Sequence, residues 1–304
     1  MAVTSAAQPR ARGGWGEFAF ESVVRIAGFS TIGFVLLIFL FLLREGVPFF
    51  VEVPPDQLLG RYWYPTFDRF GIVPLILGSV LVTIASVVIA LPLGVATAVF
   101  VREVAPSWAR DILKPLIEVL AGIPSVVLGF FGMTLVAPVI REVLGAPTGL
   151  TAFTGALILA YMALPTVISV AEDALDAVPK SYRDASLAMG ATQWQTIWRV
   201  VVPAAKSGIL TAVMLGMGRA IGETMAVMMV TGNAARMPIT IDSLVRPVRT
   251  MTATVAAEMG EVAQGSTHYH ALFGIGIALF VLTFLINLAA ASAIFQKRRR
   301  GGLR

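Results

Sequence analysis

Long apolar runs without charged residues alternate along the chain with short segments that carry most of the charges. A helix needs roughly 20 apolar residues to cross a hydrocarbon core of about 30 Å. Five uncharged runs have a suitable length: 26–43, 71–101, 119–140, 143–171 and 271–296. A sixth run, 207–235, contains two charged residues, Arg219 and Glu223, near its middle. The pattern predicts an all-α integral membrane protein with six transmembrane helices.

The basic residues between these runs are distributed unequally. Six spans place both termini on one side, where the tails and two loops hold 15 of the 23 Lys and Arg residues, against seven on the opposite side. Loops rich in Lys and Arg stay in the cytoplasm, so both termini are predicted to be cytoplasmic in a multi-pass protein of the cell membrane. The predicted segments are a cytoplasmic tail (1–25), a six-helix domain (26–296) with a cytoplasmic loop (172–206) and an extracytoplasmic loop (236–270), and a basic cytoplasmic tail (297–304).

The composition excludes several classes of protein. The chain is 57% hydrophobic and only 13% charged, whereas soluble domains are about 45–50% apolar and about 25% charged. It has no cysteine, which excludes disulfides and thiolate zinc sites. It has no G-x-x-x-x-G-K-[ST] phosphate loop, so any ATP hydrolysis belongs to a partner. We find no nucleophile–base pair, and expect no enzymatic activity, no cofactor and no nucleic-acid binding.

Arg219 and Glu223 are costly in the middle of a span, because an ionisable side chain there costs about 2.5–3.5 kcal/mol on insertion scales. In a continuous helix these residues, four positions apart, share one face. One interpretation is a buried ion pair that holds the helix bundle in register. The other is a pathway for an anion, in which the planar guanidinium binds oxyanion oxygens in pairs. In this interpretation Glu223 has two possible roles. It pairs with Arg219 when no anion is present, or it accepts a hydrogen bond from the protonated oxygen of HPO₄²⁻.

Small and hydroxyl residues accompany these charges. Gly216, Gly218 and Gly222 flank the pair at helical spacing, which favours close helix packing or, alternatively, a gate hinge. Ser125, in the stretch "GIPS", either offers its hydroxyl to a passing anion or bonds to a backbone carbonyl of its own helix. Arg219, Glu223 and Ser125 are the candidate residues of a substrate pathway.

The cytoplasmic segment 179–205 is predicted to form two short helices. Ser181 and Asp184 have the spacing of a capping box, and Gly190 suits a left-handed helix terminus. Thr192 and Gln195 form a second capping box, and Pro203 suits the first turn of the next helix. The first helix presents small residues that fit a cleft on another protein. Alternatively, the segment lies on the membrane surface with its tryptophans as interfacial anchors.

The stretch "DASLAMGATQWQTIWRVVVP" (184–203) resembles the EAA loop of binding-protein-dependent ABC importer permeases. The family pattern is Glu-Ala-Ala, three residues, Gly, nine residues, then Ile-x-Leu-Pro. The matching positions are Asp184, Ala185, Ser186, Gly190, Val200, Val202 and Pro203. The departures are conservative, with Asp for Glu, Ser for Ala and Val for Ile and Leu. The resemblance implies a type I permease fold and a loop that couples to a separate ATPase.

Three further stretches resemble the membrane subunits of phosphate-specific importers: "LAGIPSVVLGFFGM" (120–133), "GMGRAIGETMAVMMVTGN" (216–233) and "STHYHALFGIG" (266–276). The end of the fifth span and the long 236–270 loop resemble the PstC-type subunit more than the PstA-type subunit. The resemblance implies a heterodimer with a PstA-like permease, two copies of an ATP-binding subunit, an extracytoplasmic phosphate-binding protein and inorganic phosphate as the solute.

Other functions remain open at this point. The loop pattern is shared across the superfamily, so an ABC importer of another oxyanion is one alternative. An ion-coupled secondary transporter with Glu223 as proton carrier is another, and a membrane sensor is a third. His268 and His270, near Glu258 and Glu261, have residue types that bind zinc, but a surface that docks the binding protein is favoured for 236–270. Residues 250–262 are predicted to form a short helix, either exposed or dipping into the membrane.

Overall fold

The computed structural model describes residues 15–301, except the side chains of 15–19, 241, 290, 291 and 293–301. The predicted tails therefore lie partly outside the described residues. The described chain is almost entirely helical. Its helices are α1 (Trp15–Glu52), α2 (Pro55–Leu58), α3 (Val73–Val99), α4 (Ser107–Ala121), α5 (Ser125–Phe131), α6 (Ala137–Leu144), α7 (Ala152–Asp176), α8 (Lys180–Ala188), α9 (Gln193–Thr196), α10 (Val202–Ala204), α11 (Lys206–Gly222), α12 (Met225–Val230), α13 (Met251–Glu258) and α14 (Thr267–Gly301).

Short segments of other types join these helices. Two strands, β1 (Trp63–Tyr64) and β2 (Arg69–Phe70), form an antiparallel hairpin. Two 3₁₀ turns cover Pro65–Phe67 and Ile241–Val245. Single π-helical turns occur at Phe100–Val104, Gly132–Val136 and Ile197–Val201. We call the side of the bundle with β1 and β2 the hairpin end, and the opposite side, with α8, the α8 end.

Five helical segments are long and apolar enough to cross a membrane: Phe20–Glu52, Val73–Val104, Ser125–Leu144, Ala152–Asp176 and Thr267–Ala289. They correspond to the five uncharged runs, and the all-α membrane fold is confirmed. The sixth predicted span, 207–235, is not one continuous helix. It consists of α11 and α12 with a break between them, and α11 is joined at its start to the segment Gln193–Ala204 at an angle of 69°.

The fourth span, α7, occupies the centre of the bundle and packs against α3, α4, α11 and α12. Its contact with α11 uses small residues of α11 at four-residue spacing: Gly208, Ala212, Gly216 and Ala220. A side chain at Gly216 would meet Val167 of α7 at 2.5 Å. Small residues let helix backbones approach closely, so the packing interpretation is right for Gly216.

At the hairpin end, a buried aromatic cluster fixes the loops to the bundle. Trp63 and Phe49 are fully buried there and pack near Phe70. Helix α13 is also inserted into the protein, since Met251, Ala253 and Thr254 are buried and the helix packs against α3, α12 and α14. Of the two possibilities for residues 250–262, the structure therefore excludes an exposed helix for α13.

Glu258 joins three elements at this end. The Trp63 indole N–H donates to both carboxylate oxygens, at 3.2 and 3.0 Å. Arg249 donates to Oε1 at 2.8 Å, and His268 Nε2 lies 2.8 Å from Oε2. His270 instead contacts the backbone carbonyl of Glu45 at 2.8 Å. The two histidines thus have different partners, and the described residues contain no group of three or more metal-ligand side chains.

We expect Glu258→Gln to destabilise the hairpin end, because hydrogen bonds to charged groups contribute about 1.5–3 kcal/mol each. The Arg249 guanidinium, only 19% exposed, would lose its counter-charge. The measurement is thermal unfolding of the purified protein in detergent. Glu261→Gln, which changes an exposed carboxylate three residues away, is the matched control. Equal unfolding temperatures for the two variants would contradict the stabilising role of the cluster.

Candidate functional site

Of the two interpretations of Arg219 and Glu223, the ion pair between them is wrong. Helix α11 ends at Gly222, and Glu223 has an extended backbone (φ −70°, ψ 133°) before α12 begins at Met225. The spacing of four residues places two side chains on one face only in a continuous helix. Among the described residues, neither Arg219 nor Glu223 forms an ion pair. The structure therefore does not contain a buried ion pair between these residues that would hold the helix bundle in register.

Arg219 lies on a face of α11 next to α7, since its guanidinium reaches Thr166 of that helix. Its guanidinium donates to the Thr166 hydroxyl and to the Ala121 carbonyl, both at 3.3 Å. Ala121 is the last residue of α4, where the helix dipole is negative. The side chain is exposed, and a side chain added at Gly218 or Gly222 would meet nothing within 4 Å. Arg219 therefore borders open space on this face.

Glu223 is held at the break by two neighbouring elements. Its side chain accepts a hydrogen bond from the Ala226 backbone N–H at 3.1 Å. Its backbone carbonyl accepts one from the Thr252 hydroxyl of α13 at 2.9 Å. Glu223 also lines a small pocket, together with Ser79 and Thr83 of α3. Glu223 is half-buried, and its carboxyl group bonds to a backbone N–H instead of the Arg219 guanidinium.

Ser125 lies close in sequence to the contact that Arg219 makes. It is the first residue of α5, half-buried, and follows the turn at Gly122–Pro124 that separates α4 from α5. Arg219 bonds to Ala121, just before this turn. The structure thus brings Arg219 to the 121–125 turn, whereas Glu223 lies on the other side of the break in the fifth span.

At the α8 end, Arg183 fixes α8 to the bundle. Its guanidinium donates to both carboxylate oxygens of Glu103, at 2.6 and 3.2 Å. It also donates to the carbonyls of Val178 and Leu175, at 2.7 and 2.9 Å. The Arg183 and Glu103 side chains are only 17% and 10% exposed. Paired hydrogen bonds of this kind fix orientation as well as position.

The residues of the EAA-like pattern lie on and after α8. Asp184 and Ala185 are exposed, whereas Ser186 is half-buried and its hydroxyl lies 2.9 Å from that of Thr196. Gly190 adopts φ +86°, the left-handed conformation that was predicted. Pro203 lies in α10, at the end of the segment Gln193–Ala204, and not in the first turn of the fifth-span helix as predicted, because α11 begins at Lys206 after a bend of 69°. In the described part of the chain, α8 leaves Asp184, Ala185 and Leu187 exposed.

Of the two predicted capping boxes, one is confirmed. Thr192 accepts from the Gln195 backbone N–H at 3.3 Å, and the Gln195 side chain accepts from the Thr192 N–H at 3.0 Å. The box at Ser181 and Asp184 is wrong. Helix α8 begins two residues earlier than this box predicts, at Lys180 after Pro179, without a side-chain cap. Proline suits this position because helices commonly start next to it.

Helix α4 connects the two regions. At the middle of α4, Lys114 donates to Glu172 of α7 at 2.7 Å, and Glu172 is only 7% exposed. This hydrogen bond raises the pKa of Lys114 above the usual lysine value, against the opposing effect of burial. The raised pKa means that the pair is intact below pH 10.5 and is lost only as pH rises through that raised value. Seven residues further along, about 10 Å by helix rise, α4 ends at Ala121, whose carbonyl contacts Arg219.

The family model for "Binding-protein-dependent transport system inner membrane component" matches residues 90–301, more than half of the chain. This chain belongs to that family. It is a membrane-embedded permease subunit of an ABC importer and not itself an enzyme. Permeases of this kind work with another permease, an ATPase and a binding protein.

Relatives and solved structures agree with this assignment. YqgH of Bacillus subtilis, named as an ABC transporter permease, is 44% identical over 77% of this chain and 76% of its own length. The phosphate transport system permease protein PstC of Mesorhizobium japonicum is 36% identical over 81% of this chain and 80% of its own. The fold is similar to a chain of a bacterial alginate ABC transporter (TM-score 0.61, 14% identity, 91% of this chain and 95% of that one). It is also similar to a chain of the MetNI methionine ABC transporter (TM-score 0.60, 18% identity, 77% and 99%).

Several residues of the permease that shape the site were not found by sequence reasoning. Thr166 and Thr252 contact Arg219 and Glu223, but a threonine in an apolar run gives no distinct pattern. Arg183 and Glu103 are 80 residues apart, so only tertiary structure brings them together. The stretch "KSYRDAS" (180–186) places Arg183 directly before the EAA-like motif. An arginine at that position is the one sequence feature that indicates an ion pair holding the docking helix.

Proposed function

We propose that this permease forms one half of the translocation pathway of an ATP-driven importer of inorganic phosphate, with both termini in the cytoplasm. The observation that carries the proposal is Arg219, an exposed guanidinium in a membrane helix, beside two glycines and open space. A charge facing lipid at this depth is strongly unfavourable. The Arg219 face is therefore covered by a second permease with a water-filled route between the two.

Phosphate as the solute is supported by chemistry and by the relatives. A guanidinium matches phosphate oxygens in a planar, paired geometry and stays charged at any working pH. Relatives such as PstC of Mesorhizobium japonicum carry phosphate transport in their names. Two weak hydrogen bonds at 3.3 Å hold Arg219 in this conformation. A passing anion can replace both, as transient binding during transport requires.

Glu223 and Ser125 have separate roles in this proposal. The half-buried Glu223, without a basic partner among the described residues, accepts a hydrogen bond donated by the P–OH group of HPO₄²⁻ and repels fully ionised sulfate. Ser125 offers its hydroxyl at the 121–125 turn where the guanidinium lies. Because of the break at 223–224, the side chains of Arg219 and Glu223 point in different directions, whereas a continuous helix would place them on one face.

Coupling to the ATPase is proposed to occur through α8. The side of α8 with the exposed Asp184 and Ala185 enters a cleft on one ATP-binding subunit, and the half-buried Ser186 holds α8 to Thr196. Gly190 ends the helix, and Pro203 starts the return towards the membrane. The proposed assembly has a PstA-like second permease, two copies of the ATPase and an extracytoplasmic phosphate-binding protein. Within the permease, Arg183 transmits movement of α8 to α3 and α7.

The decisive experiment reconstitutes the complete transporter in lipid vesicles with its binding protein. We expect phosphate to stimulate ATP hydrolysis and to accumulate inside, and sulfate to do neither. Stimulation by another oxyanion alone would retain the importer and reject phosphate. Uptake that follows a proton gradient without ATP would instead favour an ion-coupled secondary transporter.

A further inference from the structure

A cleft of about 650 Å³ opens at the hairpin end, separate from the site at Arg219. Three loops line it, contributing residues from 61–62, 144–147 and 234–248. Small-ligand sites typically measure about 300–1,000 Å³ and lie in concave surfaces between elements. The cleft therefore has the size and position of a ligand site, and neither Arg219 nor Glu223 belongs to it.

The cleft has a strong excess of positive charge. Its charged lining residues are Arg61, Arg236, Arg246 and Asp242, which leaves a net charge of +2. Asp242 lies 3.7 Å from Arg246. Arg61 and Arg236 form no ion pair with any residue of the described part of the chain. Two guanidinium groups thus remain for a ligand with two negative charges.

The walls of the cleft are held by the protein core. Arg61 is two residues from the fully buried Trp63, which is bonded to Glu258. The backbone carbonyl of Arg246 accepts a hydrogen bond from the Ala152 N–H at the start of α7, at 3.1 Å. The Val248 N–H donates to Thr231, at the end of α12, at 2.9 Å. A site that is already rigid loses less entropy on binding a ligand.

We propose that this cleft is an outer binding site for the transported oxyanion, where the anion pauses before it reaches Arg219. The inference rests on the proposed function. The loop 234–248 follows α12 after three intervening residues, and α12, with six residues, is about 9 Å long. An anion in the cleft is thus separated from the break at Glu223 by one short helix. Positive clefts of this kind raise the local concentration of anions.

The experiment uses the complete transporter in vesicles, with phosphate-loaded binding protein outside. The variant is Arg61→Gln with Arg236→Gln, and its charge-retaining counterpart is Arg61→Lys with Arg236→Lys. The control is Arg69→Gln, an exposed arginine of the same hairpin outside the cleft lining. Uptake of labelled phosphate and stimulated ATP hydrolysis are measured against binding-protein concentration, after confirming that each complex purifies intact.

We expect the glutamine pair to lower the maximal uptake rate about tenfold, the lower end of the effect of electrostatic focusing. The binding-protein concentration that gives half-maximal stimulation should stay unchanged, and the lysine pair should retain most of the uptake. Wild-type uptake by the glutamine pair would overturn the proposal. A change confined to the half-maximal binding-protein concentration would also overturn it, because the arginines would then dock the protein. If the unaltered transporter carries a different oxyanion, the phosphate assignment fails. The uptake rate of the glutamine pair relative to the wild type, measured with that anion, then decides the role of the cleft.

Discussion

Arg219→Gln is expected to lower phosphate uptake by about one to two orders of magnitude while the transporter still assembles with its partners. The glutamine side chain keeps a hydrogen-bond donor for Thr166 or Ala121 but has no charge and no paired donors for phosphate. A hydrogen bond to a charged group is worth about 1.5–3 kcal/mol, which corresponds to a decrease of about 10- to 100-fold in rate. Uptake of labelled phosphate into vesicles measures the effect.

Two further variants separate charge from geometry. Arg219→Lys keeps the charge but loses the planar pair of donors, so its uptake should lie between those of the wild type and Arg219→Gln. Lys206→Gln removes a positive charge from the start of the same helix and should leave uptake near the wild-type rate. Normal uptake by Arg219→Gln would remove this residue from the pathway, and with it the proposed route between the two permeases.

Most of the fold could be predicted from hydrophobic periodicity and from local backbone chemistry. The five uncharged runs became membrane helices because apolar residues of that length have one favourable environment. Gly190 and the Thr192–Gln195 box were predictable because each satisfies helix-end hydrogen bonds with residues nearby in sequence. These features depend on interactions within a few residues of one another.

The break after Gly222 could not be predicted in the same way. Glycines at 216, 218 and 222 pointed to close packing, yet only Gly216 packs against α7. The extended backbone at Glu223 is stabilised by Thr252, which is 29 residues away and belongs to a helix that could equally have been exposed. Likewise, the hairpin depends on the burial of Trp63 against Glu258, 195 residues away. Long-range contacts of this kind override local periodicity.

Arg183→Glu is expected to uncouple ATP hydrolysis from the binding protein. The substitution places two carboxylates where Arg183 and Glu103 now form a pair, and these side chains are only 17% and 10% exposed. Removing one partner of a buried pair costs about 3–5 kcal/mol, so α8 should lose its fixed orientation on α3 and α7. Stimulation of ATP hydrolysis by the loaded binding protein should fall to the basal rate, and phosphate uptake should fall with it.

The reciprocal exchange tests whether the pair itself transmits the movement. Adding Glu103→Arg to Arg183→Glu restores the opposite charges, but not the bonds to the Val178 and Leu175 carbonyls, so recovery should be partial. Arg199→Glu, at an exposed arginine of the same segment, should retain normal stimulation. Full stimulation in Arg183→Glu would show that α8 is oriented without this pair. A double variant no better than the single one would show that each residue acts alone. Recovery of coupling in the double variant, with equal yields of intact complex, would place the transmission step at the contact between α8 and the ends of α3 and α7.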